Sequence, residues 1–144
     1  MDIRPITDSY AVSPQIALED IPAIAEAGFT TVICNRPDAE IPTQIQANAM
    51  RQAAEAAGLR FIENPITPGG LSEDVVAAHG TAIDQANGPV LAYCAWGTRS
   101  TFAWALTQAG ALPTDQIIAA GAAQGYDLGM LRGTLDMMAS QKTT

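Results

Sequence analysis

Apolar residues fall along this chain in two rhythms. Short runs rich in β-branched and aromatic residues, Tyr10-Ala11-Val12, Thr30 to Cys34, Leu59 to Glu63 and Val90 to Tyr93, have the length and make-up of strands. Ile3 to Ile6 is placed to pair with the first of them. Between the runs lie longer helical patterns, opened by capping residues and closed by glycine. Asp20 reads as an N-cap, with Pro22 in the first turn and Gly28 at the stop. Pro42 and Thr43 open a long Ala/Gln-rich helix that ends before Gly58, and Ser72 caps a helix through about Ala86. Another runs from about Thr98 to Ala109, with Gly110 after its end. The last two cover Thr114 to Gln124 and Leu128 to Ala139, the second capped by Asp127.

Strands alternating with helices predict an α/β fold: a small, mostly parallel central sheet of four or five strands flanked by helices. No repeat, linker or low-complexity stretch interrupts the pattern. A single domain is expected over 1–139, with a loose tail over 140–144.

Composition narrows the function classes. With 144 residues, 48% of them hydrophobic, the chain has enough for a full core. The N-terminal Met-Asp-Ile-Arg-Pro lacks the apolar run of a secretory signal, and no stretch approaches membrane-span length. Two cysteines make no disulfide framework, so a cytoplasmic protein without a membrane partner is expected. A net charge of −8 with seven basic residues argues against a nucleic-acid partner. An anionic substrate must then be captured by local geometry and not by a global field. The one histidine, His79, precludes a His-rich metal site, and no ligand spacing suggests another, so neither metal nor cofactor is expected. His79, among Ala77, Ala78 and Gly80, reads as a surface or half-buried helix residue. Trp104 reads as core, and Met130, Met137 and Met138 as packing residues.

The chemical signal lies where the run Val90 to Tyr93 gives way to Cys94-Ala95-Trp96-Gly97-Thr98-Arg99-Ser100. Ligands of open α/β sheets bind at the carboxyl ends of strands. Helix N-termini add unpaired N–H groups and partial positive charge, which stabilise a thiolate. Arg99 supplies a planar fork suited to oxyanions, and Gly97 lets the backbone turn its amides inward. Ser100 is placed to hydrogen-bond the sulfur, and Trp96 to line the mouth of the loop. The candidate anion-binding loop is therefore Ala95, Trp96, Gly97, Thr98 and Arg99, with Cys94 as nucleophile. Cys34, in an apolar strand, reads either as a small buried hydrophobe or as a resolving thiol for Cys94.

Cys94-x4-Arg99 stands between two patterns. Tyrosine and dual-specificity phosphatases carry His-Cys-x5-Arg-Ser/Thr, and rhodanese-type sulfurtransferases carry Cys-x4-Arg. Four blocks point to a narrower group: Asn35-Arg36-Pro37-Asp38-Ala39-Glu40, Pro65-Ile66-Thr67-Pro68-Gly69-Gly70, Tyr93-Cys94 with Gly97-Thr98-Arg99-Ser100, and Gly125-Tyr126-Asp127-Leu128. Together they resemble the phosphatase-like domain of the β-lactamase-hydrolase-like family. The resemblance implies a dual-specificity-phosphatase-like fold, with the strand ending at Asn35 beside the Cys94 strand. It would place Asn35, Arg36, Glu40 and Thr67 as walls of the site, Arg36 as a second anion contact and Asp38 as a proton donor. Relatives also occur fused to a metallo-β-lactamase-like domain whose histidine-rich motif has no counterpart here.

Three functions stay open at this point. A cysteine-dependent phosphatase needs a thiolate, a cradle and a general acid, yet Thr67-Pro68-Gly69-Gly70 contains no carboxylate and the loop is one residue short. Sulfur transfer through a Cys94 persulfide, from a sulfane-sulfur donor to a thiol acceptor, needs no acid. A non-enzymatic anion-binding or redox-sensing domain needs only part of the loop.

Overall fold

The computed structural model describes residues 1–142. Five strands form one sheet: β1 (Arg4–Pro5), β2 (Tyr10–Ser13), β3 (Thr31–Cys34), β4 (Arg60–Glu63) and β5 (Val90–Tyr93), in the order β1-β2-β5-β3-β4. All neighbours are parallel except β1, which pairs antiparallel with β2. The expected mostly parallel sheet is thus present.

The inner strands β2, β5 and β3 are buried on both faces, which is why they read as continuous apolar runs. Ala11, Val32, Cys34, Phe61, Leu91 and Tyr93 pack on one side, under α1 (Ile21–Glu26) and α2 (Ala47–Ala56). Their alternates Tyr10, Val12, Ile33, Val90 and Ala92 face the other layer. That layer holds α3 (Glu73–Asp84), α4 (Thr98–Gln108), α5 (Thr114–Ala122) and α6 (Arg132–Lys142). Trp104 is buried there and stacks on Tyr10, as its core assignment requires.

Several helices start differently from expectation, each because a tight turn forms first. Asp20 does stand at the N-cap position of α1 with Pro22 in the first turn, but its carboxylate accepts from the Ala17 N–H, closing the 3-10 turn Leu18–Asp20, and bonds no α1 amide. Thr43–Ile45 is also a 3-10 turn, and α2 begins only at Ala47 after an extended Gln46. Asp127 accepts from the Gly129 N–H; the short turn that follows, Gly129–Leu131, delays α6 to Arg132. Met130 and Met137 are largely exposed, so they are not core packing residues, whereas Met138 does pack against the core. Ser72 does cap α3, accepting from the Val75 N–H. Helix α6 continues to Lys142, because its pattern runs past Ala139 without a breaker. The tail expected over 140–144 is therefore helical at Ser140 to Lys142, while residues 143 and 144 lie outside the described residues.

Among the described residues no helix is long and apolar enough to cross a membrane.

Candidate active site

Cys94 leaves the end of β5 almost fully buried, and Gly97 donates its N–H to the sulfur at 3.2 Å. Gly97 takes φ +91°, a conformation costly for any residue with a Cβ, and opens α4.

Two outside donors fix the direction of the loop peptides. Gln15 N–H donates to the Ala95 carbonyl at 3.3 Å, and the Tyr126 hydroxyl donates to the Trp96 carbonyl at 2.9 Å. Peptide groups are planar and none here is cis, so each carbonyl drawn backward sends the following N–H forward. For the Trp96–Gly97 peptide, the carbonyl held by Tyr126 leaves the Gly97 amide directed at the sulfur. The first amides of α4 add further donors, since the first closed helical turn is Thr101 N–H to the Gly97 carbonyl.

Arg99 is clamped yet open. Its Nη1 donates to Glu40 Oε2 (2.9 Å) and to the Ile66 carbonyl (2.6 Å), and its Nη2 donates to Glu40 Oε1 (2.8 Å). Three of five N–H donors are spent, and the Nε–H with the second Nη2–H remains as a lateral fork. Hydrogen bonding to Glu40, and then electrostatic interaction with Cys94, hold the guanidinium firmly charged. The same bonds keep Glu40 below the usual carboxylate range.

Arg36 stands beside this pair. Its Nη1 donates to Gln15 Oε1 at 3.3 Å, tying it to the segment that holds Ala95. Its Nε is buried 3.5 Å from Glu40 Oε1, and at that geometry makes no hydrogen bond. Trp96 is 76% exposed at the rim, and Thr98 is exposed at the first turn of α4. Thr67 is exposed immediately after Ile66, whose carbonyl holds Arg99.

Other expected roles are corrected. Ser100 does not turn to the sulfur: its Oγ is fully buried and donates to Asn35 Oδ1 at 2.8 Å. Asn35 is not a wall but a buried hub. Its amide donates to the Asn64 carbonyl at 2.9 Å and meets His79 Nδ1 at 3.4 Å. Asp38 is exposed, and its Oδ1 accepts the Ala47 N–H at 2.9 Å, capping α2 from nine residues away, so one of its oxygens is tied to the helix and not to the Cys94 loop. Cys34 is fully buried in the α1/α2 core; its thiol is turned to the Arg36 carbonyl, and burial raises its pKa. A resolving thiol needs the opposite, exposure and thiolate character.

His79 was expected near the surface but is fully buried beneath the site. Tyr10 Oη donates to the Ser100 carbonyl at 2.8 Å, so it must accept from His79 Nε2–H, also at 2.8 Å. His79 Nδ1 is then the acceptor facing the Asn35 amide. Every proton has a place only when His79 is neutral, and burial lowers its pKa to about 4. Between that value and an ordinary 6.5 the unfolded chain binds the extra proton, so stability should fall as pH drops across this window. The full loss is about 3 kcal/mol. Urea unfolding at pH 7, 5.5 and 4.5 checks this. Wild type should lose stability in that order, and His79→Gln should lose much less of its own; parallel curves would refute the assignment.

Sequence reasoning missed Gln15, Tyr126 and the support network. Gln15 and Tyr126 act on backbone carbonyls, and such bonds leave no residue-type signature. Among the described residues no group of three or more His, Cys, Asp or Glu side chains is arranged to hold a metal ion.

Residues 2–111 match the family model for the β-lactamase hydrolase-like protein, phosphatase-like domain. The chain belongs to this family. A β-lactamase hydrolase-like protein of Xylella fastidiosa (strain 9a5c) is 33% identical over 143 residues, which are 98% of this chain and 33% of the relative. The chain thus spans about a third of that curated relative's length. A Neisseria meningitidis structure described as a candidate phosphatase is 36% identical, covers 96% of this chain and 99% of its own, and has a TM-score of 0.82. Pseudomonas aeruginosa TpbA, solved as a cysteine-to-serine variant with phosphotyrosine, shares the fold at 13% identity and TM-score 0.67, over 99% of this chain and 90% of its own. The phosphatase-like architecture implied by the sequence is therefore established. Tyr126, which holds the Trp96 carbonyl, lies beyond the residues matched by the family model.

Proposed function

We propose that this domain is a cysteine-dependent phosphatase acting on a small anionic substrate. The Gly97 N–H aimed at Cys94 Sγ carries this reading: it supports a loop amide directed at the proposed nucleophile, with the carbonyl of the same peptide held by Tyr126. The thiolate attacks phosphorus while the amides and the free fork of Arg99 receive the non-bridging oxygens, where charge develops. Arg36 adds a second positive group at the rim. Water then hydrolyses the phosphocysteine and returns the thiolate. The family name and the phosphotyrosine bound by the TpbA variant support phosphoryl chemistry over sulfur transfer. A catalytic thiolate also suits a reducing compartment such as the cytoplasm.

The test is rapid acid quenching during turnover of p-nitrophenyl phosphate, followed by peptide mass spectrometry. One phosphoryl group on the Cys94 peptide is the expected result. Its absence, with one sulfur atom added to Cys94 by polysulfide, would replace this reading with persulfide transfer to a thiol acceptor. Neither adduct would leave an anion-binding or redox-sensing domain.

A further inference from the structure

We propose that the site takes phosphoryl donors whose leaving group departs as an anion, such as acyl phosphates and phosphoanhydrides, and that Arg36 stabilises the departing charge in place of a carboxylic acid. This rests on the cysteine-phosphatase reading and narrows its substrate class.

An alkoxide leaves poorly unless an acid protonates it in the transition state, and such an acid contributes about 10²–10⁴-fold. Of the two carboxylates on the loop after β3, one is held by α2 and the other by Arg99. Asp38 holds the Ala47 N–H, and Glu40 gives both oxygens to Arg99. Protonating Glu40 would break a bidentate ion pair, and Arg99 accordingly holds its pKa down. The segment from Asn64 to Gly70, which touches Arg99 through the Ile66 carbonyl, contains no Asp, Glu or His. Glu63 lies 3.9 Å from Arg51, and Asp74 is exposed in the first turn of α3.

What stands beside the cradle instead is a second guanidinium. Arg36 is tied to Gln15, and Gln15 to the Ala95 carbonyl, so its position is fixed relative to the Cys94 loop. Its buried Nε lacks a hydrogen bond among the described residues. A buried donor left in that state is costly, and an arriving anion offsets the cost. Two guanidiniums against one carboxylate leave the rim locally positive in a chain of net charge −8.

The step balances without a proton donor. The thiolate electron pair forms the S–P bond, the P–O bond to the leaving group breaks, and its pair departs on oxygen as carboxylate, phosphate or phenolate. Water then attacks phosphorus, the S–P pair returns to Sγ, and the water proton passes to product phosphate or solvent.

The experiment measures kcat/KM for phenyl phosphates of graded leaving-group acidity, acetyl phosphate, inorganic pyrophosphate and glycerol phosphate. Wild type, Arg36→Gln and Asp74→Asn are compared, with the Cys94 adduct followed by mass spectrometry. In wild type, kcat/KM should fall steeply as the leaving group becomes more basic, with glycerol phosphate at least about 100-fold below acetyl phosphate. Asp74→Asn should keep that slope, and Arg36→Gln should lower turnover of acetyl phosphate and pyrophosphate about tenfold or more. A shallow wild-type slope with the adduct present overturns this proposal alone, as does a slope that steepens only in Asp74→Asn. An Arg36→Gln enzyme with wild-type rates overturns the role of Arg36. No adduct from any donor overturns the phosphatase reading, and this proposal with it.

Discussion

Cys94→Ser is expected to leave a folded protein whose phosphatase activity has fallen by about 10³-fold or more. The thiol is 1% exposed and its one bond from the loop is the Gly97 N–H, which a serine oxygen also accepts. The replacement is close in size, so stability should change by no more than about 1 kcal/mol. The chemistry changes far more. A serine hydroxyl is not ionised near neutral pH, and no side chain stands ready to take its proton: His79 is buried and occupied, and Glu40 is held by Arg99. Binding should survive, since a serine oxygen can keep the Gly97 N–H bond and Arg99 is held by Glu40 and the Ile66 carbonyl. Steady-state assay of p-nitrophenyl phosphate and calorimetric titration with inorganic phosphate check both halves. A variant that keeps more than a tenth of the activity would place the nucleophile elsewhere. One that loses phosphate binding as well as turnover would show that the sulfur organises the cradle.

The centre of this site was legible because it is local. An apolar strand, a cysteine, a glycine and an arginine within one short segment leave few alternatives to a strand–loop–helix anion site, and the structure builds that turn. The sheet was legible for a similar reason: strands buried on both faces show as unbroken apolar runs. What stayed hidden depends on partners far away in sequence. Asp38 looked like a free acid because its real partner, the Ala47 amide, is exposed only if α2 starts after Gln46. Glu40 was placed at the wall, but its grip on Arg99 spans 59 residues and has no sequence signature. His79 was misplaced because a lone histidine among small helix residues resembles a surface position. Only the packing of α3 over Tyr10 and Asn35 turns it inward. Ser100, beside Arg99 in sequence, turns inward to Asn35 because helix geometry rotates neighbouring side chains by about 100°.

Gly97→Ala should damage both fold and chemistry, and for the same reason. At φ +91° an alanine pays about 1–3 kcal/mol in backbone strain. Its Cβ would also overlap the Tyr126 hydroxyl and come within 3.0 Å of Cζ, so the ring must move. Movement breaks the bond that draws the Trp96 carbonyl back, and the Trp96–Gly97 peptide is then free to rotate its N–H off the sulfur. The expected loss is about 2–4 kcal/mol of stability and about 10²-fold in kcat/KM, comparable to removing one oxyanion donor. Tyr126→Phe separates the two causes. It removes the hydroxyl without straining Gly97, and should cost about 1 kcal/mol and about tenfold in activity if holding the peptide is what matters. In the double variant the tightest overlap is gone, so the combined loss should be smaller than the sum of the single losses. Denaturant unfolding and kcat/KM for all three variants settle the matter. Full activity in Tyr126→Phe would show that the loop holds its shape without the Trp96 carbonyl bond, and strict additivity would show that Gly97 and Tyr126 act on it separately.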